Sequence, residues 1–333
     1  IWENGAIRGL DEALNPANGL FSSLGTGSSS VKYDWWEPGY DWWVPDPAPS
    51  PNAITMTTFP AVDQIFFDDG GCSIMNPDGT NRRDFGVGCG WSAALSPDGK
   101  HVAYAGNRPG GEDWRLGDNA IFVMDWTGNN VRQVTFEPLD IGLNLVWSPD
   151  STKIAFQSSE RVIHTMNADG TGISSTGQTG MPFSWHNDLI AFSGLPTWGI
   201  FVMNSDGAAV RRLTDSEYLN HQPQFSPDGQ SIAFSSDRDG NREIYVMDAD
   251  GSHVRRVTDS PSWEWMPVWS PDGKRIAFGS DFYNPPFEHE IFITDPSGAN
   301  TVGESWFYTG QSGRPTSWNT ERPSDSFSYP TPA

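Results

Sequence analysis

The sequence is poor in cysteine, in basic residues and in long apolar runs. Two cysteines, Cys72 and Cys89, are too few for a disulfide scaffold. Lys and Arg number 20 against 42 Asp and Glu, a formal net charge of −22. Such a chain lacks the basic face that releases counterions from phosphates, so a nucleic acid is excluded as a partner. No run approaches the roughly 20 apolar residues of a membrane span, so membrane insertion is not expected either. There is no G-x-S-x-G, no phosphate loop and no H-E-x-x-H, and nothing else marks a nucleophile or its base. The reading leans away from an enzyme and assigns no catalytic residue and no cofactor.

What the sequence does hold is a repeat. Phe225-Ser226-Pro227-Asp228-Gly229 returns as Trp269-Ser270-Pro271-Asp272-Gly273, 44 residues on. Within that interval four short apolar runs are separated by turn residues: Pro223 to Phe225, Ser231 to Phe234, Glu243 to Met247 and His253 to Thr258. Runs of this length, rich in Val, Ile, Phe and Tyr and bounded by Gly, Pro and Asp, read as strands. Four strands in meander order over 40-odd residues form one blade of a β-propeller. The third strand and its turn recur six times, ending at Gly79, Gly128, Gly170, Gly207, Gly251 and Gly298, spaced 37 to 49 residues apart. Six copies predict six blades.

Arg314-Pro315-Thr316-Ser317-Trp318 looks like a first strand with no second strand after it, while the blade near residue 65 has no first strand before it. The two gaps predict that the C-terminal strand completes the first blade and closes the ring, leaving no open edge. The expected organisation is an irregular Trp-rich arm over 1–60, an all-β six-bladed propeller over 61–318 and a tail over 319–333.

The motifs S-P-D-G-x-x-I-A-F and I-Y-V-M-x-x-D-G resemble the TolB-like β-propeller repeat, over roughly residues 60–318. The resemblance implies a secreted, extracellular or periplasmic scaffold for protein–protein interaction; the hydrolase domain that accompanies related propellers in prolyl oligopeptidases is absent. The start at Ile1 fits a leader removed upstream.

In a meander the turns alternate between the two ends of the sheet. The tight Ser-Pro-Asp-Gly and Asp-Gly turns therefore share one end, and the longer second-to-third-strand and blade-to-blade loops share the other, where sites are usually carried. At that loop end the candidate ligand or partner residues are Tyr218, His221, Trp263, Glu264, Trp265, Tyr283, His289 and Arg314. Aromatic rings with a few charges suit a protein partner or, alternatively, a polysaccharide. Asp237, Asp239 and Asn241 space oxygen atoms like the start of a calcium loop, but the glycine stands at the wrong position, so calcium is a weak candidate. Cys72 and Cys89 map to the loop end of neighbouring blades and are expected to form a disulfide, which implies an oxidising compartment. Four tryptophans, Trp35, Trp36, Trp42 and Trp43, lie close together in the arm and must cover something, either the chain's own propeller or a neighbouring copy; self-association through the arm is the expectation.

Overall fold

A computed structural model describes residues 2–3, 6–7, 64–68, 72–85, 93–107, 119–136, 141–215, 217–281, 290–297, 307–312 and 314–319. The Ser-Pro-Asp-Gly turns close as their chemistry dictates. Ser226 Oγ donates to Asp228 Oδ1 at 2.6 Å, and the Gln230 amide donates to the same oxygen at 3.0 Å. The Ser231 amide closes on Ser226 Oγ at 3.0 Å. Gly229, at φ 69°, carries the chain through the left-handed region. The same bonds recur at Ser96 and Asp98, at Ser148 and Asp150, and at Ser270 and Asp272. Hydroxyl donation from Ser226 and from Ser148 holds the Asp228 and Asp150 carboxyls below their usual range. These aspartates build turns.

The described regular structure is all strand. The chain divides into two compact units, Ile1–Ala48 and Pro49–Ala333. In the first, β1 (Trp2–Glu3) pairs antiparallel with β2 (Ala6–Ile7). In the second, β3 (Gln64–Asp68), β4 (Cys72–Met75) and β5 (Arg83–Asp84) are followed by β6 (Ala93–Leu95), β7 (His101–Asn107), β8 (Asn119–Asp125) and β9 (Arg132–Gln133). Next come β10 (Ile141–Trp147), β11 (Lys153–Ser158), β12 (Val162–Asn167), β13 (Ser174–His186), β14 (Leu189–Gly194), β15 (Gly199–Asn204) and β16 (Arg211–Arg212). Then follow β17 (Asn220–Phe225), β18 (Ser231–Ser236), β19 (Glu243–Asp248) and β20 (Arg255–Arg256). The last are β21 (Glu264–Trp269), β22 (Ile276–Ser280), β23 (Glu290–Thr294), β24 (Phe307–Ser312) and β25 (Arg314–Asn319).

Sheets β6-β7-β8-β9, β17-β18-β19-β20 and β21-β22-β23-β24 are sequential four-stranded meanders. A fourth sheet runs β25-β3-β4-β5, with Trp318 opposite Ile65 and Arg314 opposite Asp68. The seven strands β10 to β16 form one sheet, because β13 serves as the last strand of one meander and the first of the next. This merger falls where the spacing between successive turn glycines, Gly170 and Gly207, is the shortest in the chain, leaving no residues for a separate connection.

The Ile-Ala-Phe triplets explain how the sheets stack. Side chains alternate across a strand, so Ile232 and Phe234 face one side of β18 and Ala233 the other. Ala233 packs against Ile276 and Phe278 of the following sheet, while Ile232 and Phe234 pack against Ala191 of the preceding one. The relation repeats for Ala155 with Ile190 and Phe192, and for Ala103 with Ile154 and Phe156. Phe66 meets Val102 and Tyr104, and Ala277 of β22 meets Ile65 and Phe67 of β3. All these side chains are nearly or fully buried, and each large one contributes about 1.5–3 kcal/mol. A small residue opposite two large ones sets the separation of neighbouring sheets. The first strands also touch in succession: β6 with β10, β10 with β13, β13 with β17, β17 with β21, β21 with β25, and β25 with β6.

Candidate functional site

Between β16 and β17, and again between β20 and β21, the chain crosses the loop end of the sheets in the same way. The Leu219 amide donates to Asp237 Oδ1 at 2.9 Å, and the Trp263 amide donates to Asp281 Oδ1 at 2.8 Å. The next amides, of Asn220 and Glu264, donate to the carbonyls of Trp198 and Arg242 at 2.9 and 2.8 Å. Each member of these pairs lies 44 residues from its counterpart. Each loop is thus pinned from its own sheet by an aspartate and from the preceding sheet by a carbonyl. The pinned residues are apolar yet open: Trp263 is 54% exposed, Leu219 42% and the adjoining Tyr218 38%. The Arg242 guanidinium sits over the Trp263 ring at 5.8 Å, close enough for a cation–π contact.

Other predicted site residues are set inward. The His221 ring packs 4.7 Å from Trp198 and 5.4 Å from Phe183, and its buried Nδ1 has no hydrogen-bond partner among the described residues. Burial, with the nearby Arg242 charge, lowers its pKa to about 4, so the imidazole is neutral at physiological pH. Trp265, expected on the rim, is partly buried; its indole lies where a side chain at Gly279 would stand, with Nε1 only 2.7 Å from that position. Glu264 was expected at the mouth and instead is fully buried. Its Oε1 accepts from Ser260 Oγ at 2.6 Å and Ser280 Oγ at 3.1 Å. A β-bulge accounts for part of this: the register of β17 shifts between His221 and Gln224 and that of β21 between Trp265 and Val268, re-aiming the residues beside them.

The calcium candidates are turned to different partners. Asp237 is committed to the Leu219 amide, and Asp239 Oδ2 accepts from the Tyr245 hydroxyl at 2.6 Å. Asn241 turns its Nδ2 inward, donating to the Ser260 carbonyl at 2.7 Å and the Ser262 carbonyl at 2.5 Å. The three side chains serve three different partners, and no group of metal-ligating side chains occurs among the described residues. Arg314 opens β25 opposite Asp68 and is partly buried. Cys72 is fully buried and is not a free thiol. Cys89, Tyr283, His289, Trp35, Trp36, Trp42 and Trp43 lie outside the described residues.

Sequence reasoning missed a small cavity between the sheets. It is lined by residues of β6, β10, β13, β17, β21 and β25, among them Asn144, Phe183, Gln222, Gln224, Met266 and Thr316. Gln222 and Met266, 44 residues apart, both take left-handed backbone, at φ 58° and 52°. The Met266 amide donates to Gln222 Oε1 at 2.9 Å, tying β21 to β17. The cavity holds about 50 Å³, room for a few waters and far below the roughly 300–1,000 Å³ of small-molecule pockets. Among the described residues, open apolar side chains stand on these loops and also, as Val131, Ile173, Val210 and Val254, just before β9, β13, β16 and β20.

A sequence model of the Tricorn protease N-terminal beta propeller domain matches residues 185–301. A protein TolB homolog of Chlorobium luteolum is 29% identical over 156 residues, covering 44% of this chain and 34% of that protein. The Tol-Pal system protein TolB of Bordetella pertussis is 30% identical over 135 residues, covering 37% of this chain and 30% of that protein. The chain thus spans about a third of the length of these relatives. Among solved structures, the putative TolB from Agrobacterium tumefaciens superposes with a TM-score of 0.60 at 22% identity, over 77% of this chain and 91% of that one.

Proposed function

The chain belongs to the TolB-like β-propeller family, and we propose that it is a secreted or periplasmic, non-enzymatic scaffold that binds a protein partner through the loop end of its sheets. The observation that carries this reading is the matched presentation of Leu219 and Trp263. Two exposed apolar side chains on neighbouring loops are each fixed by an aspartate at the following strand connection. A pinned, exposed tryptophan is the kind of residue on which binding energy concentrates, because it buries large area at little cost in side-chain freedom. Protein partnership also agrees with the name of the Bordetella relative, a protein of the Tol-Pal system.

In this reading the scaffold is a six-bladed ring closed by β25. Support comes from the pairing of β25 with β3, from the Ala277 contact with Ile65 and Phe67, and from the unbroken succession of first-strand contacts. Closure holds the two loops at a fixed separation.

The test is affinity capture from the envelope and medium of the source cells. The bait is the wild-type chain, a Leu219→Ala/Trp263→Ala double variant, and a control altered at the opposite end, Lys274→Ala. Wild type and control retain one common protein, and the double variant recovers it at least about tenfold less well, the loss expected of a tryptophan hot spot. Equal recovery by all three baits contradicts the reading. The half-exposed Trp263 ring also favours a polysaccharide stacked on it. Retention of an oligosaccharide with no protein would establish that second reading, and retention of the chain itself would make the partner a second copy.

A further inference from the structure

The loop that presents Trp263 is held from beneath by two glutamates. Glu243 and Glu264 are both fully buried. Glu243 Oε1 accepts from Arg256 Nη2 at 2.5 Å and from the Ser260 amide at 2.9 Å, with Asn241 Nδ2 also near it at 3.1 Å. Glu264 Oε1 accepts from the hydroxyls of Ser260 and Ser280. The second oxygen of each, Oε2, is buried and receives no donor. Two buried carboxylates bonded to the one residue Ser260, each with a bare oxygen, would be untenable, since each would forfeit its hydration without recompense.

We infer that Glu243 and Glu264 share a single proton, carried on Glu264 Oε2 and donated to Glu243 Oε2, and that this acid pair locks the 260–263 loop in place. One hydrogen bond then satisfies both unpartnered oxygens. The cations assign the proton to Glu264. Arg256 touches Glu243 and is shared with Asp259 at 2.8 Å and Asp239 at 4.0 Å, whereas Glu264 has only neutral hydroxyl donors.

The repeat supplies an independent comparison. Forty-four residues earlier the place of Glu264 is taken by Asn220, paired with Ser236 as Glu264 is paired with Ser280. Ser236 Oγ donates to Asn220 Oδ1 at 3.0 Å, as Ser280 Oγ does to Glu264 Oε1. The place of Glu243 is taken by Gly199. The same junction is thus built once with a neutral amide and once with an acid, and a neutral, protonated Glu264 is the chemical equivalent of that amide. Burial first, and the Glu243 carboxylate second, hold the Glu264 acid well above the ordinary carboxylate range.

Other ionisable groups around the pair are Glu290 on β23, which lies beyond Ser280 and accepts from the Tyr308 hydroxyl, Tyr245, which donates to Asp239, and Arg242, whose carbonyl receives the Glu264 amide. The shared proton bears on the loop directly: the Ser260 amide bonds Glu243, and the Ser260 hydroxyl bonds Glu264 and receives the Ser262 amide. Losing the proton sets two buried negative charges against each other under Trp263. Any effect on partner binding rests on the loop-end reading above, but the lock itself does not.

The test is infrared spectroscopy of the intact chain at neutral pH, paired with thermal unfolding of wild type and Glu264→Gln across pH. A protonated-carboxyl band is expected in wild type and is lost in E264Q, whose amide donates in place of the acid. An acid whose folded pKa is raised contributes stability that is complete below the ordinary carboxylate range and declines as pH rises. The two proteins therefore differ by a constant amount only below the ordinary carboxylate range. E264Q then gains on wild type with each step toward alkali, until the folded acid itself ionises. Absence of the band, or parallel pH profiles, overturns the proposal, as does a band abolished by added calcium with a rise in melting temperature. Should E264Q fail to fold, the band in wild type with carboxyl-labelled glutamate decides alone.

Discussion

His221 shows most clearly how burial governs a single residue. An imidazole at the loop end of a strand invites a ligand role, yet this one is packed between Phe183 and Trp198. Its neutral form is favoured, with the pKa lowered from 6.5 to about 4. For a depressed pKa the stability is present above the unfolded value and is lost as pH falls through the folded one. Wild type should therefore lose up to roughly 3 kcal/mol relative to His221→Phe between those two pH values. Denaturant titration of both proteins across that window checks it, and superimposable profiles would refute it. Glu264 makes the same point for acids. Its position after a loop said nothing of depth; only alignment with Asn220 at the repeat spacing reveals that it replaces a buried amide. What the sequence concealed were side-chain directions beside a bulge, which depend on register and not on composition.

Single strands were far more legible. Ser-Pro-Asp-Gly carries its own hydrogen-bond plan, and Ile-Ala-Phe carries the alternation that sets two large side chains toward one neighbour and a small one toward the other. Both follow from local chemistry, so β18 and β22 could be placed within a residue or two. β13 could not, because merging two strands depends on how little chain separates two turns. β25 is the element with the widest consequence. It supplies Trp318 to the cluster containing Ala277 and Ile65, and it lines the cavity with Pro315 and Thr316. Without it β3 has an open edge. Deleting residues 314–333 should abolish cooperative unfolding, whereas deleting only 320–333 should leave the melting transition in place. Calorimetry of the two truncations decides, and an unchanged transition in the longer deletion would show that β25 is dispensable.

For the whole molecule, two features act together. The excess of 22 negative charges favours solubility. The cavity lined by Gln222, Met266 and Thr316 is too small for an organic ligand, and the proposed recognition lies instead on the loops that enter β17 and β21. The central claim is that those loops meet a protein partner. Hydrogen–deuterium exchange of the chain with and without its captured partner tests it most directly. The account predicts protection confined to segments 213–221 and 257–265, with the Ser-Pro-Asp-Gly turns at 226–229 and 270–273 unchanged. Protection of those turns, with the two loop segments exchanging as in the free chain, would contradict it.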